Sequence, residues 1–72
     1  MYKETFAERL KTARKNKLYT QIEVAEELKI PRSTLANYEA GRTEPDIETL
    51  AKLIDFYEVS ADWVLGTGIT KR

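Results

Sequence analysis

Apolar residues in this chain recur at helical spacing and nowhere alternate with period two for long enough to make a strand. Phe6, Leu10 and Ala13, with Arg14, line one face of a first predicted helix. Thr5 followed by Glu8 is a capping box, so this helix is expected to begin at Thr5 and to run to about Lys17. Arg9, Lys11, Lys15 and Lys17 would lie on its exposed side, and Tyr2 ahead of it. Thr20 and Glu23 form a second capping box. The short helix that follows buries Val24, Ala25 and Leu28 and ends near Lys29. Pro31 lacks a backbone donor and disfavours helical geometry at Ile30, so the chain must turn there and restart at Pro31 or Arg32. Leu35 and Tyr38 face inward from this third helix, which Gly41 ends. Asp46 is a good N-cap for a fourth helix. Its stripe of Ile47, Leu50, Leu53, Ile54 and Tyr57 reaches about Glu58. Ser60 caps a last short helix that contains Trp63, Val64 and Leu65, and Gly66 stops it. The prediction is an all-α, five-helix domain over residues 1–72, with its core in about 5–66 and residues 67–72 as a frayed tail.

Composition narrows the chemistry. Seventy-two residues hold one modest core and leave stability marginal. There is no cysteine and no histidine, which removes disulfides, thiolate catalysis, the commonest general base and the commonest zinc ligands. No apolar run approaches the roughly 18 residues of a membrane span, and the N-terminal stretch is too polar for a signal peptide. A soluble, cytoplasmic protein without metal or cofactor is expected, and not an enzyme. Paired carboxylates such as Glu26 with Glu27, or Glu58 with Asp62, have no acid–base partner of another type nearby and read as solvated surface. Formal net charge is zero, unlike most nucleic-acid binders. The charge is nevertheless uneven: eight Lys/Arg against five Asp/Glu from Met1 to Arg32, and four against seven from Ser33 to Arg72.

The stretch Thr20–Gly41 stands out as two short helices joined by a tight turn. Arg32, Ser33, Ala36 and Asn37 stand at i, i+1, i+4 and i+5, on one face of the second. A helix–turn–helix unit presents the early part of its second helix to the DNA major groove while the first crosses the backbone. Arginine suits guanine O6/N7, asparagine suits adenine N6/N7, serine serves either, and alanine can touch a thymine methyl. By spacing alone, such a row is first of all an ordinary solvated face.

Six segments, in order and at matching intervals, carry a resemblance that covers about Thr5 to Gly66. They are Thr20-Gln21, Val24 to Leu28, Arg32 to Leu35, Tyr38 to Arg42, Pro45 to Leu50 and Val59 to Gly66. The sequence resembles Cro/cI-type phage repressor helix–turn–helix domains, the XRE family. This implies the compact λ-repressor-like fold and sequence-specific binding of double-stranded DNA as a transcriptional regulator, most simply a repressor. It also implies a homodimer on a pseudo-palindromic operator, with dimer contacts near the last helix. Carried over residue by residue, Arg32, Ser33, Ala36 and Asn37 match base-reading positions. Gln21 matches a glutamine that touches phosphate and braces the recognition helix, about residues 32–40. Thr34, Tyr38, Arg42 and Thr43 match positions near phosphates. Arg14 and Glu39 match a buried ion pair between the first and third helices. The family often has glycine where this chain has Leu18, Lys29 and Glu58, and a serine or threonine cap where it has Pro31. A protein-interaction module or an antitoxin-type autoregulator on the same fold are the alternatives. Trp63, Phe56 and Tyr57 are expected in the core.

Overall fold

The computed structural model describes residues 2–66, with side chains from Thr5 onward. Five helices are present among them, and no strand: α1 (Tyr2–Asn16), α2 (Gln21–Leu28), α3 (Arg32–Glu39), α4 (Ile47–Tyr57) and α5 (Ala61–Leu65). The expected tail at 67–72 lies outside the described residues. α1 packs on α3 and α5, and α2 packs on α3. The shared core is Phe6, Leu10 and Ala13 from α1, Val24 from α2, Leu35 and Tyr38 from α3, Leu53 and Tyr57 from α4, and Val64 from α5. Leu10, Val24, Leu35, Leu53 and Val64 are wholly buried. Each such side chain contributes about 1.5–3 kcal/mol relative to exposure.

Helix starts follow their caps, with one correction. Thr20 Oγ1 accepts from Glu23 N at 3.1 Å and Glu23 Oε1 accepts from Thr20 N at 2.9 Å, so the second capping box is closed. Asp46 and Ser60 cap α4 and α5 through Thr49 N and Trp63 N, each at 3.1 Å. α1, however, begins at Tyr2 and not at Thr5. No proline or glycine interrupts Tyr2–Glu4, so the helix runs back through the apparent cap. Thr5 instead lies beside Gly66, where an added Cβ would come within 3.0 Å of its methyl carbon.

Four helices end in one way. The residue after the last turn is left-handed: Leu18 (φ 64°), Lys29 (φ 60°), Gly41 (φ 76°) and Glu58 (φ 59°). The next residue returns its N–H to the carbonyl five positions back. These bonds are Tyr19 to Arg14, Ile30 to Ala25, Arg42 to Asn37 and Val59 to Ile54, at 3.0–3.2 Å. This is the Schellman closure, which satisfies carbonyls that the helix cannot. Glycine adopts it freely. Leu18, Lys29 and Glu58 each carry strain on the order of 1 kcal/mol there.

Two apolar expectations need correction. Ile47 is 85% exposed, because the stripe of α4 continues one turn beyond the edge of the core. Trp63 is 37% exposed and sits at the rim, while Tyr57 is buried and Phe56 partly so. Arg9 is half-buried rather than free. Its guanidinium lies 5.2 Å from the Trp63 ring centroid, and Nη1 donates to the Trp63 carbonyl. The stem of Arg9 thereby joins α1 to α5.

One carboxylate ties the first three helices. Glu39, at the end of α3, is buried, with its side chain 1% exposed. Its Oε2 accepts from Arg14 Nε at 2.8 Å. Its Oε1 accepts from Arg14 Nη2 and from Gln21 Nε2, both at 3.0 Å. Arg14 Nη1 also donates to the Tyr19 carbonyl at 2.9 Å, which clamps the turn out of α1. The Glu39 hydrogen bonds hold the Arg14 guanidinium above its ordinary pKa. The buried Tyr57 hydroxyl has its pKa raised, first by desolvation and then by the charge of Glu39.

This framework sets three expected outcomes. Lys29→Gly removes left-handed strain but returns part of it as unfolded-chain entropy, so a net gain of at most about 0.5 kcal/mol is expected, read as a slightly higher urea midpoint at unchanged m. Glu39→Ala removes the acceptor of Arg14 Nε and Nη2 and of Gln21 Nε2 and should cost about 3 kcal/mol. Arg14→Ala/Glu39→Ala should be less destabilised than Glu39→Ala alone. A double-mutant cycle without coupling would refute the tie. The third concerns acid. Hydrogen bonds from Thr49 hold Asp46 below its ordinary 3.8, and a hydrogen bond from Lys17 holds Glu58 below its ordinary 4.5. Both depressions favour the fold above those ordinary values, and their contribution disappears as pH falls through the folded-state pKa values. The melting temperature should therefore be flat from pH 7 to about 5 and decline below about 4.5. Asp46→Asn, which keeps a cap, should decline less.

Candidate nucleic-acid interface

The turn between α2 and α3 sets where the polar row points. Lys29 is left-handed, Ile30 tucks against the core, and Pro31 (φ −63°, ψ 144°) leads into α3. Proline at this position costs no hydrogen bond, because first-turn N–H groups have no partner within a helix. Its carbonyl accepts from Thr34 N at 3.0 Å and Leu35 N at 3.3 Å, but no side chain caps the helix. The positive end of α3 is therefore uncapped by protein, beside exposed Arg32 and Ser33.

Each sequence-predicted residue has a definite place. Arg32 and Ser33 are exposed, and Ala36 and Asn37 are half-buried on the same side of α3. Thr34 is half-buried, and Thr43 is exposed in the loop after the helix. Arg42 is exposed, and its Nη1 donates to Asn37 Oδ1 at 3.3 Å. Gln21 opens α2 and is half-buried, with one Nε2 hydrogen given to Glu39. The remaining Nε2 hydrogen is what its side chain can offer a phosphate, since Oε1 only accepts. Tyr38 differs in kind. Its ring belongs to the core and only 8% of it is exposed. Burial raises its hydroxyl pKa, and the charge of Asp46 raises it further. At most a hydroxyl edge is left to meet a phosphate.

Two features escaped the sequence. The Arg9–Trp63 contact joins residues 54 apart in sequence, and no local pattern signals it. The Asn37–Arg42 pair had a signal, since a helix ended by Gly41 brings the residue after the glycine back onto the one five positions earlier. Among the described residues, no group of acidic side chains is arranged to hold a metal ion, and no helix is long and apolar enough to cross a membrane.

Known proteins are similar to this chain in sequence. A family model described as "Helix-turn-helix" matches residues 10–64, from α1 into α5. The HTH-type transcriptional regulator ImmR of Bacillus subtilis (strain 168) is 47% identical over 62 residues, covering 86% of this chain and 49% of that protein. The SPbeta prophage-derived uncharacterized HTH-type transcriptional regulator YonR, of the same strain, is 45% identical over 60 residues, 83% of this chain and 56% of that protein. The cryptic phage CTXphi transcriptional repressor RstR of Vibrio cholerae serotype O1 (strain ATCC 39315 / El Tor Inaba N16961) is 36% identical over 63 residues, 88% of this chain and 56% of that protein. The chain thus spans about half the length of these curated relatives. The capping box of α2, the turn at Lys29–Pro31, the α3 beyond it and the matched span together make this chain a member of the helix-turn-helix family of transcriptional regulators.

Proposed function

We propose that this chain is the DNA-binding unit of a transcriptional regulator, acting as a repressor, and that α3 enters the major groove. The observation that carries this reading is the row Arg32, Ser33, Ala36 and Asn37. It lies on the outward side of a helix whose other side is held by Leu35, Tyr38 and the Glu39 tie. Arg32 is assigned to guanine, Asn37 to adenine, Ser33 to either, and Ala36 to a thymine methyl. Gln21, Thr34, Arg42, Thr43 and the hydroxyl edge of Tyr38 would meet phosphates, which set register more than sequence. No catalytic step, metal or cofactor enters this reading, and its place of action is the cytoplasm.

A homodimer on a pseudo-palindromic operator completes it, with half-sites about 34 Å apart. Exposed Ile47, rim-placed Trp63 and half-buried Leu65 give the α4–α5 side apolar surface for a second copy.

A selection on random duplexes tests the assignment. The chain should enrich one two-fold-related motif, and Arg32→Ala should lose discrimination at its guanine by roughly 5- to 150-fold. Unchanged consensus in that variant would refute the role of Arg32. Binding should weaken with salt at a slope that corresponds to about three or four phosphates per half-site. No salt dependence would sink the DNA reading.

A further inference from the structure

The end of α3 differs from the other three Schellman closures in what fills it. In this motif the returning residue folds its side chain back towards the residue five positions earlier, and an apolar contact commonly accompanies the turn. Ile30 and Val59 follow that habit and pack against the core. Tyr19 stacks on Phe56, with ring centroids 4.9 Å apart. After α3 the position belongs to Arg42. Its backbone N–H closes the turn on the Asn37 carbonyl at 3.0 Å, and its side chain hydrogen-bonds the Asn37 side chain. A polar pair occupies, at the edge of the proposed base-reading row, the place that apolar or aromatic side chains hold at the other three turns.

The chemistry of that pair dictates how the Asn37 amide is turned. A guanidinium has five N–H donors and no acceptor. The edge of the amide that faces Arg42 must therefore be oxygen, and Nδ2 must face away. At 3.3 Å the bond is long, so its effect is to orient more than to stabilise. An asparagine that reads adenine donates from Nδ2 to N7 and accepts at Oδ1 from N6. The amide oxygen has two lone pairs, so the Arg42 bond leaves one for the base. Guanine presents O6 where adenine presents N6–H. A held Oδ1 meets O6 acceptor to acceptor, whereas an amide free to rotate can turn Nδ2 towards it.

We propose that Arg42 is a positioning residue for Asn37: it locks the side-chain amide in one orientation and so sharpens discrimination of adenine from guanine at the base pair Asn37 meets. This rests on the base-reading role proposed above for Asn37, and it gives Arg42 a part in specificity beyond a phosphate contact. The two are compatible, because the four other N–H donors of Arg42 remain for a phosphate.

Two measurements on the 72-residue chain test it. The first needs no DNA. In the NMR spectrum of the free protein, the two Asn37 Nδ2 protons should show cross-peaks of a single amide orientation, and Arg42→Ala should average them. Retention of the single orientation in Arg42→Ala overturns the proposal. The second is selection on random duplexes. Arg42→Ala should lower the adenine-over-guanine preference at the Asn37 base pair about fivefold, with the preference at the Arg32 base pair unchanged. Arg42→Ala/Asn37→Ala should discriminate no worse there than Asn37→Ala alone. A uniform loss of affinity with an intact consensus and a salt slope lower by about one would make Arg42 a phosphate contact only and overturn the proposal. A wild-type chain that enriches no sequence would remove the DNA-binding reading, and the specificity claim with it, while the NMR result would still report whether the amide is locked.

Discussion

A carboxylate buried to 1% exposure must be paired, since an isolated charge in that position would cost several kcal/mol. Glu39 meets this constraint with three donors: two from Arg14 on α1 and one from Gln21 on α2. The requirement is directional, because a bidentate guanidinium–carboxylate pair tolerates little rotation. It therefore fixes more than the distance between helices. α3 has eight residues, too few to be stable as an isolated helix. Its outward face keeps a defined angle only because Leu35, Tyr38 and Glu39 fasten its inward face to α1 and α2. The same arginine also holds the Tyr19 carbonyl, so the turn into α2 and the placing of α3 depend on one side chain.

Much of this was readable in advance where structure follows from local chemistry. Thr20 with Glu23, Asp46 and Ser60 each supply the oxygen that a nearby orphan N–H requires, and each proved to be a cap. The same rule misled at Thr5. A capping box stops a helix only if the preceding residues leave it, and Tyr2–Glu4 do not. Ile47 shows the limit of periodicity. A stripe states which face turns inward but not how far the core reaches along it, and α4 outruns the core by one turn. Trp63 shows the limit of composition. Its size and apolarity suggested burial, but a position on the five-residue α5 leaves it at the rim, where Arg9 covers one face.

The left-handed turns carry a related lesson. At Leu18, Lys29 and Glu58 the family resemblance pointed to glycine and the chain supplies something else, yet the backbone keeps the conformation glycine would have taken. The cause is the next residue in each case. Tyr19, Ile30 and Val59 bury or stack side chains that require the chain to reverse there. Contacts of that kind can outweigh strain of about 1 kcal/mol at each site. For the candidate site this matters at Lys29. The turn that aims α3 is not relaxed away by its unusual residue; it is imposed by the two residues that follow, Ile30 packed on the core and Pro31 leading into α3.

Charge is where the sequence count and the folded surface diverge most. The first half of the chain has an excess of cations, which looks like an electrostatic footprint for phosphate. The fold engages three of those eight elsewhere: Arg14 on Glu39, Lys17 on Glu58 at 2.7 Å, and Arg9 on Trp63. A phosphate attraction built on the remainder is modest, and non-specific affinity scales with the number of phosphates neutralised. If the proposed function holds, base-edge contacts must then supply a larger share of binding than they do in a strongly basic domain. Hydrogen bonds to base edges depend on angle far more steeply than a charge depends on distance to a phosphate. On the proposed function, a domain of zero net charge needs rigidity at its reading face, and the carboxylate behind α3 and the arginine that closes its end would supply it.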